Sequence, residues 1–191
     1  MNKKEQLILA AIELFGRHGI QSVGIDKIIK HAKVAKMTLY HHFSSKEELL
    51  LSCLRRVDEE LIFKLNDFLK KSPGPFEAGN YGDDFFHYYI SSLREMGFRG
   101  CFFARVASEL NPIAPGSEDL FRCIHDYRRR LNRIIRQKLK ESRKDLANDE
   151  EALIRQTNKL LMILDAMAVS EYFDNDQSDN NKFKEVIGDI I

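Results

Sequence analysis

The segment 25–49 has the sequence IDKIIKHAKVAKMTLYHHFSSKEEL and decides the fold, because it contains two short helix patterns and the start of a third. In the second pattern, Leu39 and Phe43 lie four residues apart and should face one core. The apolar residues of the first pattern share a helix face, with one more beneath the turn: Ile25, Ile28, Ile29, Ala32 and Val34. Two short helices joined by a tight turn predict a helix-turn-helix unit.

The remaining positions of the second helix should point outward, and their side chains suit nucleic acid. Thr38 and Tyr40 offer hydroxyl groups to phosphate oxygens. Met37 or the Thr38 methyl can touch a thymine methyl, and His41 can donate to a base or to the backbone. Lys46 lies in the first turn of the next helix, whose amides would add an anion site after a Ser cap. The predicted DNA contacts are Lys36, Met37, Thr38, Tyr40, His41 and Lys46.

Charge is distributed unevenly along a chain whose net charge is only +1. Residues 1–46 carry eight basic and three acidic side chains, a balance of +5. Residues 145–191 carry four basic and eleven acidic side chains, a balance of −7. The sequence therefore predicts that the N-terminal end alone meets a polyanion.

The rest of the chain follows helical spacing, and no alternating strand pattern occurs. The fold class is therefore all-α, with a three-helix head, residues 1–46, and a larger helical-bundle body, residues 47–191, about nine helices in all. We expect helix four to follow the Ser44-Ser45 start and to end before Ser72, a loop to continue to Gly82, and Ser117 to cap a later helix. No apolar run is long enough for a membrane span or a signal peptide, so we expect a cytoplasmic protein.

The motif at residues 32–43, AKVAKMTLYHHF, followed by SKEEL at 45–49, resembles the DNA-binding signature of the TetR family of bacterial regulators. The resemblance implies a homodimer formed by the last two helices, which presents two recognition helices to a palindromic double-stranded operator. It is specific only within the first fifty residues. The family usually has Gly at the position of Lys33 and Ser at that of Ala35, and a Thr or Ser cap is common where Gly24 stands. The Ser difference removes an N-cap worth about 1 kcal/mol.

The C-terminal part of the sequence independently indicates a subunit partner. Residues 160–169 are apolar almost all round, and such a helix must be covered on more than one side. A further apolar stripe closes the chain: Phe183, Val186, Ile187, Ile190 and Ile191. A second copy of the chain is the simplest cover for both.

The family resemblance also implies a small-molecule effector site inside the body. The candidate lining is aromatic with two polar anchors: Phe63, Phe86, Tyr89, Phe102, Phe103, Arg105, Glu109 and Met162. The same aromatic residues at helical spacing would equally form plain core. The basic segment 122–144 is either a second nucleic-acid surface or, as we favour, a solvated helix face that pairs with the acidic C-terminal part.

No catalytic or metal site is predicted, because the sequence contains no nucleophile elbow, phosphate-binding Gly loop or HExxH motif. The three cysteines, Cys53, Cys101 and Cys123, are widely spaced and are expected to be buried small hydrophobes. No cofactor is expected. The leading hypothesis is a ligand-responsive, dimeric transcriptional repressor. The alternative is a DNA-bound protein of the same fold that senses no small molecule and recruits a protein partner.

Overall fold

The computed structural model describes residues 2–71, 81–114 and 116–172. These residues form nine α-helices and no strand, which confirms the predicted all-helical fold. The helices are α1 (Lys3–His18), α2 (Ile25–Ala32), α3 (Lys36–His42), α4 (Lys46–Lys71), α5 (Tyr81–Glu95), α6 (Phe102–Glu109), α7 (Ser117–Ser142), α8 (Lys144–Ala147) and α9 (Glu150–Ser170). No helix in the described part of the chain combines the length and the apolar character needed to cross a membrane.

Two expectations about helix starts were wrong. Helix α5 begins at Tyr81 and so includes Gly82, which loop composition had placed before it. Ser117 is the first residue of α7 rather than its cap, and its hydroxyl donates to the Pro112 carbonyl at 2.9 Å. A hydroxyl that donates backward in this way anchors the preceding turn instead of accepting from the helix amides.

The described chain forms two compact units. The first comprises the described residues of Met1–Glu59 and Phe102–Tyr127, and the second comprises those of Glu60–Cys101 and Arg128–Ile191. Helices α1, α2, α3 and α6 fall in the first unit, and α5, α8 and α9 fall in the second.

The first unit is built around apolar side chains of the segment from α1 to α4, among them Ile28, Leu39 and Phe43, which the sequence predicts to face inward. They are fully or almost fully buried: Leu7, Ala11, Phe15, Ile28, Leu39, Phe43, Leu49 and Leu54. Burial of one large apolar side chain contributes roughly 1.5–3 kcal/mol, so this set stabilises the first unit. Cys53 and Cys123 are buried here and Cys101 in the second unit, as predicted.

The second unit packs the C-terminal part of α4 with α5, α7 and α9. Phe68 on α4 stacks on Tyr88 of α5, with ring centroids 4.5 Å apart. Arg94 of α5 forms a two-pronged ion pair with Glu171, just after α9, at 2.6 and 2.7 Å. The predicted apolar stripe at 183–191 lies outside the described residues.

Candidate nucleic-acid interface

Helix α2 ends in a turn whose backbone is unusual for its sequence. Lys33 has φ 52° and ψ 46°, the left-handed conformation, and it is the only described non-glycine residue with positive φ. Its amide donates to the Lys30 carbonyl at 3.3 Å, and the Val34 amide donates to the Ile29 carbonyl at 3.1 Å. These bonds satisfy two of the last four carbonyls of α2, so the turn keeps its geometry although Lys replaces the glycine usual at such a helix end.

Helix α3 places its side chains as its sequence pattern predicts. Leu39 and Phe43 are buried and fix the inner face of the helix. On the outer face Met37 is 82% exposed and Tyr40 is 51% exposed. His41 is also exposed, whereas Thr38 is half-buried. Large side chains held in solvent by a rigid inner face form a surface that can enter a groove.

The N-terminal end of α3 has no side-chain cap, because the preceding residue, Ala35, has the extended backbone of an N-cap but no side-chain oxygen. The Thr38 amide donates only to the Ala35 carbonyl, at 3.0 Å. The amides of the first turn therefore lack the side-chain oxygen that a Ser would supply.

Lys36, the first residue of α3, is engaged with an acid that sequence reasoning did not single out. Its Nζ lies 3.0 Å from Asp26 Oδ1, in the first turn of α2. This hydrogen bond is the main cause that raises the pKa of Lys36 above its ordinary value. Asp26 is close to Lys36 only because the turn brings the starts of the two helices together.

The start of α4 is capped as predicted, and the cap involves a carboxylate. The Ser45 hydroxyl accepts from the Glu48 amide at 3.1 Å. The Glu48 carboxylate in turn accepts from the Ser44 amide at 2.6 Å and from the Ser44 hydroxyl at 2.7 Å. These bonds hold the pKa of Glu48 below its usual value, the backbone bond contributing most. A negative charge also interacts favourably with this end of the helix dipole.

The Lys46 side chain points toward the protein and does not extend freely into solvent. Its Nζ donates to the Ile20 carbonyl at 2.6 Å and lies 5.9 Å from the centre of the Phe15 ring. Partial burial lowers the pKa of Lys46. The ammonium group thus joins α4 to the segment after α1, a structural task beside the phosphate contact expected from the sequence.

The same segment is bound by Glu109 of α6. The Glu109 carboxylate accepts from the amides of Ile20 and Gln21, at 2.6 and 3.0 Å. The Gln21 side-chain amide donates back to the Glu109 carbonyl at 2.9 Å. Gly19, with φ 84°, permits this approach, because a Cβ there would lie 2.9 Å from the carboxylate.

Arg105, one turn before Glu109, binds the end of α1. Its guanidinium donates to the carbonyls of Phe15 and Gly16, at 3.3 and 2.8 Å. Both carbonyls lie in the last turn of α1, and that of Phe15 also accepts from the Gly19 amide at 3.0 Å. Arg105 and Glu109, predicted from the sequence as effector anchors, therefore connect α6 to the head.

The other effector candidates fall in both units, and their exposure varies. Phe102 and Phe103 are buried in the first unit, where Phe103 stacks on Tyr127 with 3.8 Å between ring centroids. Phe86 and Tyr89 are buried in the second unit. Two members of the set are instead largely in solvent: Phe63 at 72% and Met162 at 69%. Met162 lines an open groove of about 720 Å³ beside arginines of α7.

Two arginines of α7 pair with acids of α9, in line with the pairing favoured above for the basic segment. Arg128 binds both carboxylate oxygens of Asp165 at 2.7 Å each, and Arg136 pairs with Glu150. Ion pairs of this kind neutralise part of the basic face.

Taken together, the exposed face of α3, its buried Leu39 and Phe43 and the preceding tight turn define a helix-turn-helix protein. Residues 7–53 match the family model described as bacterial regulatory proteins, tetR family. The whole fold resembles that of a TetR-family transcriptional regulator from Streptomyces coelicolor, with a TM-score of 0.75, 23% identity, and coverage of 98% of this chain and 93% of the other. The N-terminal segment 7–53 is thus similar to the DNA-binding region of the TetR family, and the described body shares the fold of a member of that family.

Two curated relatives show how much of the chain has a similar sequence in other regulators. The chain is 40% identical to the HTH-type transcriptional activator FasR of Mycolicibacterium smegmatis over 68 residues, which cover 36% of this chain and 31% of FasR. It is 28% identical to the HTH-type transcriptional regulator BetI of Brucella suis over 134 residues, 68% of this chain and 62% of BetI. The matched region thus spans less than two thirds of either relative, and the stronger identity is confined to a short segment.

Proposed function

We propose that this protein is a transcriptional regulator that binds a palindromic double-stranded operator as a homodimer and releases it in response to a small molecule. The observation that carries the proposal is the outer face of α3, where Met37, Tyr40 and His41 project from a helix fixed by buried residues. The proposed DNA contacts are Lys36, Met37, Thr38, Tyr40, His41 and Lys46. DNA binding would place the protein's work in the cytoplasm.

Each member of this set has a distinct proposed task. Met37 is the most exposed and is assigned to base edges, where its apolar side chain can contact a thymine methyl. Tyr40 and Lys36 are assigned to phosphates, which position the helix without specifying sequence. Lys46 already donates to Ile20, so we expect its removal to disturb the head as well as any phosphate contact.

The DNA-binding proposal is tested with the purified full chain and the DNA upstream of its own gene. Footprinting should reveal a palindromic site, and Tyr40→Ala should weaken binding to all sequences, whereas Met37→Ala should change the preferred sequence. Ile113→Ala is a matched control, since Ile113 is 88% exposed and lies outside α3. If folded Tyr40→Ala bound the site as tightly as wild type, this face would be wrongly assigned.

The homodimer is supported by apolar side chains left on the outer face of α9. Ile154, Met162 and Val169 are 44%, 69% and 48% exposed, and their spacing of seven or eight residues places them along one face. An acidic substitution at two of them, Ile154→Asp with Val169→Asp, should give monomers in sedimentation velocity. A variant that stays dimeric would exclude this face as the interface.

The effector and the sign of regulation need separate experiments. Repression is proposed, although the relative FasR is named an activator. A screen of apolar and cationic compounds should identify one that releases bound DNA. The alternative, a DNA-bound protein that recruits a protein partner and senses no small molecule, predicts that no compound releases DNA.

A further inference from the structure

The ion pair between Lys36 and Asp26 lies at the edge of the candidate DNA face. Lys36 begins α3 and Asp26 lies in the first turn of α2, with 3.0 Å between Nζ and Oδ1. Both side chains are well exposed, 56% for Lys36 and 80% for Asp26. Asp26 is also one of only three acids in the basic segment 1–46.

The other two acids of that segment pair with residues outside α3. Glu13 contacts Arg17 and His31, and Glu5 contacts Arg56 of α4. Asp26 is thus the acid of the head whose ion pair involves the helix proposed to enter the major groove. The Lys36 ammonium group can therefore bind either Asp26 or a DNA phosphate.

We propose that Asp26 limits the electrostatic affinity of the protein for DNA by holding Lys36 in an ion pair that opens when Lys36 contacts a phosphate. The inference rests on the proposed function. Lys36 then exchanges one anionic partner for another, and Asp26 is left close to the polyanion. Asp26 is a positioning residue in this account, since it acts through Lys36 and touches no base.

Two quantities follow from this exchange. An exposed ion pair typically has a coupling that corresponds to between about 1.5-fold and 5-fold in an equilibrium constant. Because the Lys36–Asp26 ion pair is lost when DNA binds, DNA affinity is weaker by that factor for each head. Each phosphate neutralised by an unpaired basic side chain contributes about 0.9 to the steepness of the plot of log K against log salt concentration. When Lys36 leaves Asp26, the Asp26 carboxylate takes up a salt cation, and this uptake cancels part of that contribution. Asp26→Asn should therefore tighten binding and steepen the slope by up to about 0.9 for each head.

The experiment uses full-length protein and a fluorescently labelled 30-bp duplex of random sequence, since this electrostatic term is independent of sequence. Anisotropy titrations across a series of NaCl concentrations compare wild type, Asp26→Asn, Lys36→Gln and the double variant. We expect the gain from Asp26→Asn to be about 1.5- to 5-fold larger for each head when Lys36 is present than in the Lys36→Gln background. This difference isolates the pair from the general repulsion between Asp26 and DNA.

Glu59→Gln is the matched control for removal of one negative charge. Glu59 is exposed and lies thirteen residues after the start of α4, about 20 Å along the helix. Glu59→Gln should change DNA affinity less than Asp26→Asn does, because salt screens charges beyond about 8–10 Å. Thermal unfolding by circular dichroism verifies that each variant is folded.

The outcomes separate the inference from the function on which it rests. If Asp26→Asn increases DNA affinity equally with Lys36 and with Gln at position 36, or does not increase it at all, the inference is overturned while DNA binding stays established. Lys36→Gln with wild-type affinity and slope overturns it too, because Lys36 would then touch no phosphate. Wild-type protein without salt-dependent DNA binding overturns the proposed function and this inference with it.

Discussion

Removal of the Glu109 carboxylate should destabilise the head although Glu109 lies about ninety positions away in sequence from the residues it binds. The carboxylate accepts from the amides of Ile20 and Gln21, at 2.6 and 3.0 Å. Ile20 is almost fully buried, so its amide would lose its partner in Glu109→Ala. An unsatisfied buried donor costs roughly 1–3 kcal/mol, and the more exposed Gln21 amide can turn to water.

We therefore expect Glu109→Ala to lower the free energy of unfolding by about 2 kcal/mol, or roughly 1–3 kcal/mol. Glu109→Gln should cost less, because both amides donate to the same carboxylate oxygen and the Gln amide oxygen can take its place. Urea unfolding followed by far-ultraviolet circular dichroism is the suitable assay, since the chain contains no Trp. Ser108→Ala is the neighbouring control, because the Ser108 hydroxyl binds only within its own helix, to the Arg105 carbonyl.

The result that would refute this reasoning is a Glu109→Ala variant within 0.5 kcal/mol of wild type with an unchanged urea slope, a difference typical of ordinary surface substitutions. It would mean that water replaces the carboxylate at no cost. If Glu109→Ala lost stability but retained full DNA affinity, the network would stabilise the head without positioning α3. A joint loss of stability and affinity at temperatures where the variant stays folded would assign it both tasks.

Other substitutions test the local geometry of the head. Lys33→Gly should stabilise the protein by about 0.5–1 kcal/mol in urea unfolding, because Lys33 carries a side chain in a left-handed conformation; a loss of stability would show that the Lys side chain compensates. Ala35→Ser should add about 1 kcal/mol by capping the first turn of α3, and no change would mean that its amides are already satisfied. Glu48 has a lowered pKa, so its contribution is present above the unfolded-state pKa and is lost as pH falls through the folded-state pKa. Stability of wild type should thus decline below about pH 4.5, and Glu48→Gln should show a shallower decline; parallel curves would contradict the assignment.

Much of the fold could be predicted because helices depend on local sequence. The inward positions of Leu39 and Phe43 follow from their four-residue spacing, and the Ser45 cap follows from its place before acidic residues. The same local rules placed Met37 and Tyr40 outside. Burial of Cys53 also followed from residue type, and this burial raises the pKa of its thiol.

Local rules did not predict the contacts whose partners come from distant parts of the chain. Arg105 and Glu109 were assigned to an effector because their type and position suited one, yet they bind the end of α1 and the turn after it. Lys46 was assigned to phosphate alone and also donates to Ile20. Asp26 went unnoticed because its pairing with Lys36 depends on how the turn folds. No spacing rule encodes such contacts.

The helix-turn-helix motif depends both on local sequence and on tertiary packing. The sequence by itself determined that residues 25–49 form two short helices and a capped third, since periodicity and capping act within a few residues. It could not determine that Lys33 would take a left-handed conformation usually left to glycine. Only the tertiary structure decided that, because burial of Ile28, Ala32 and Leu39 on both sides of the turn outweighs a strain of about 1 kcal/mol.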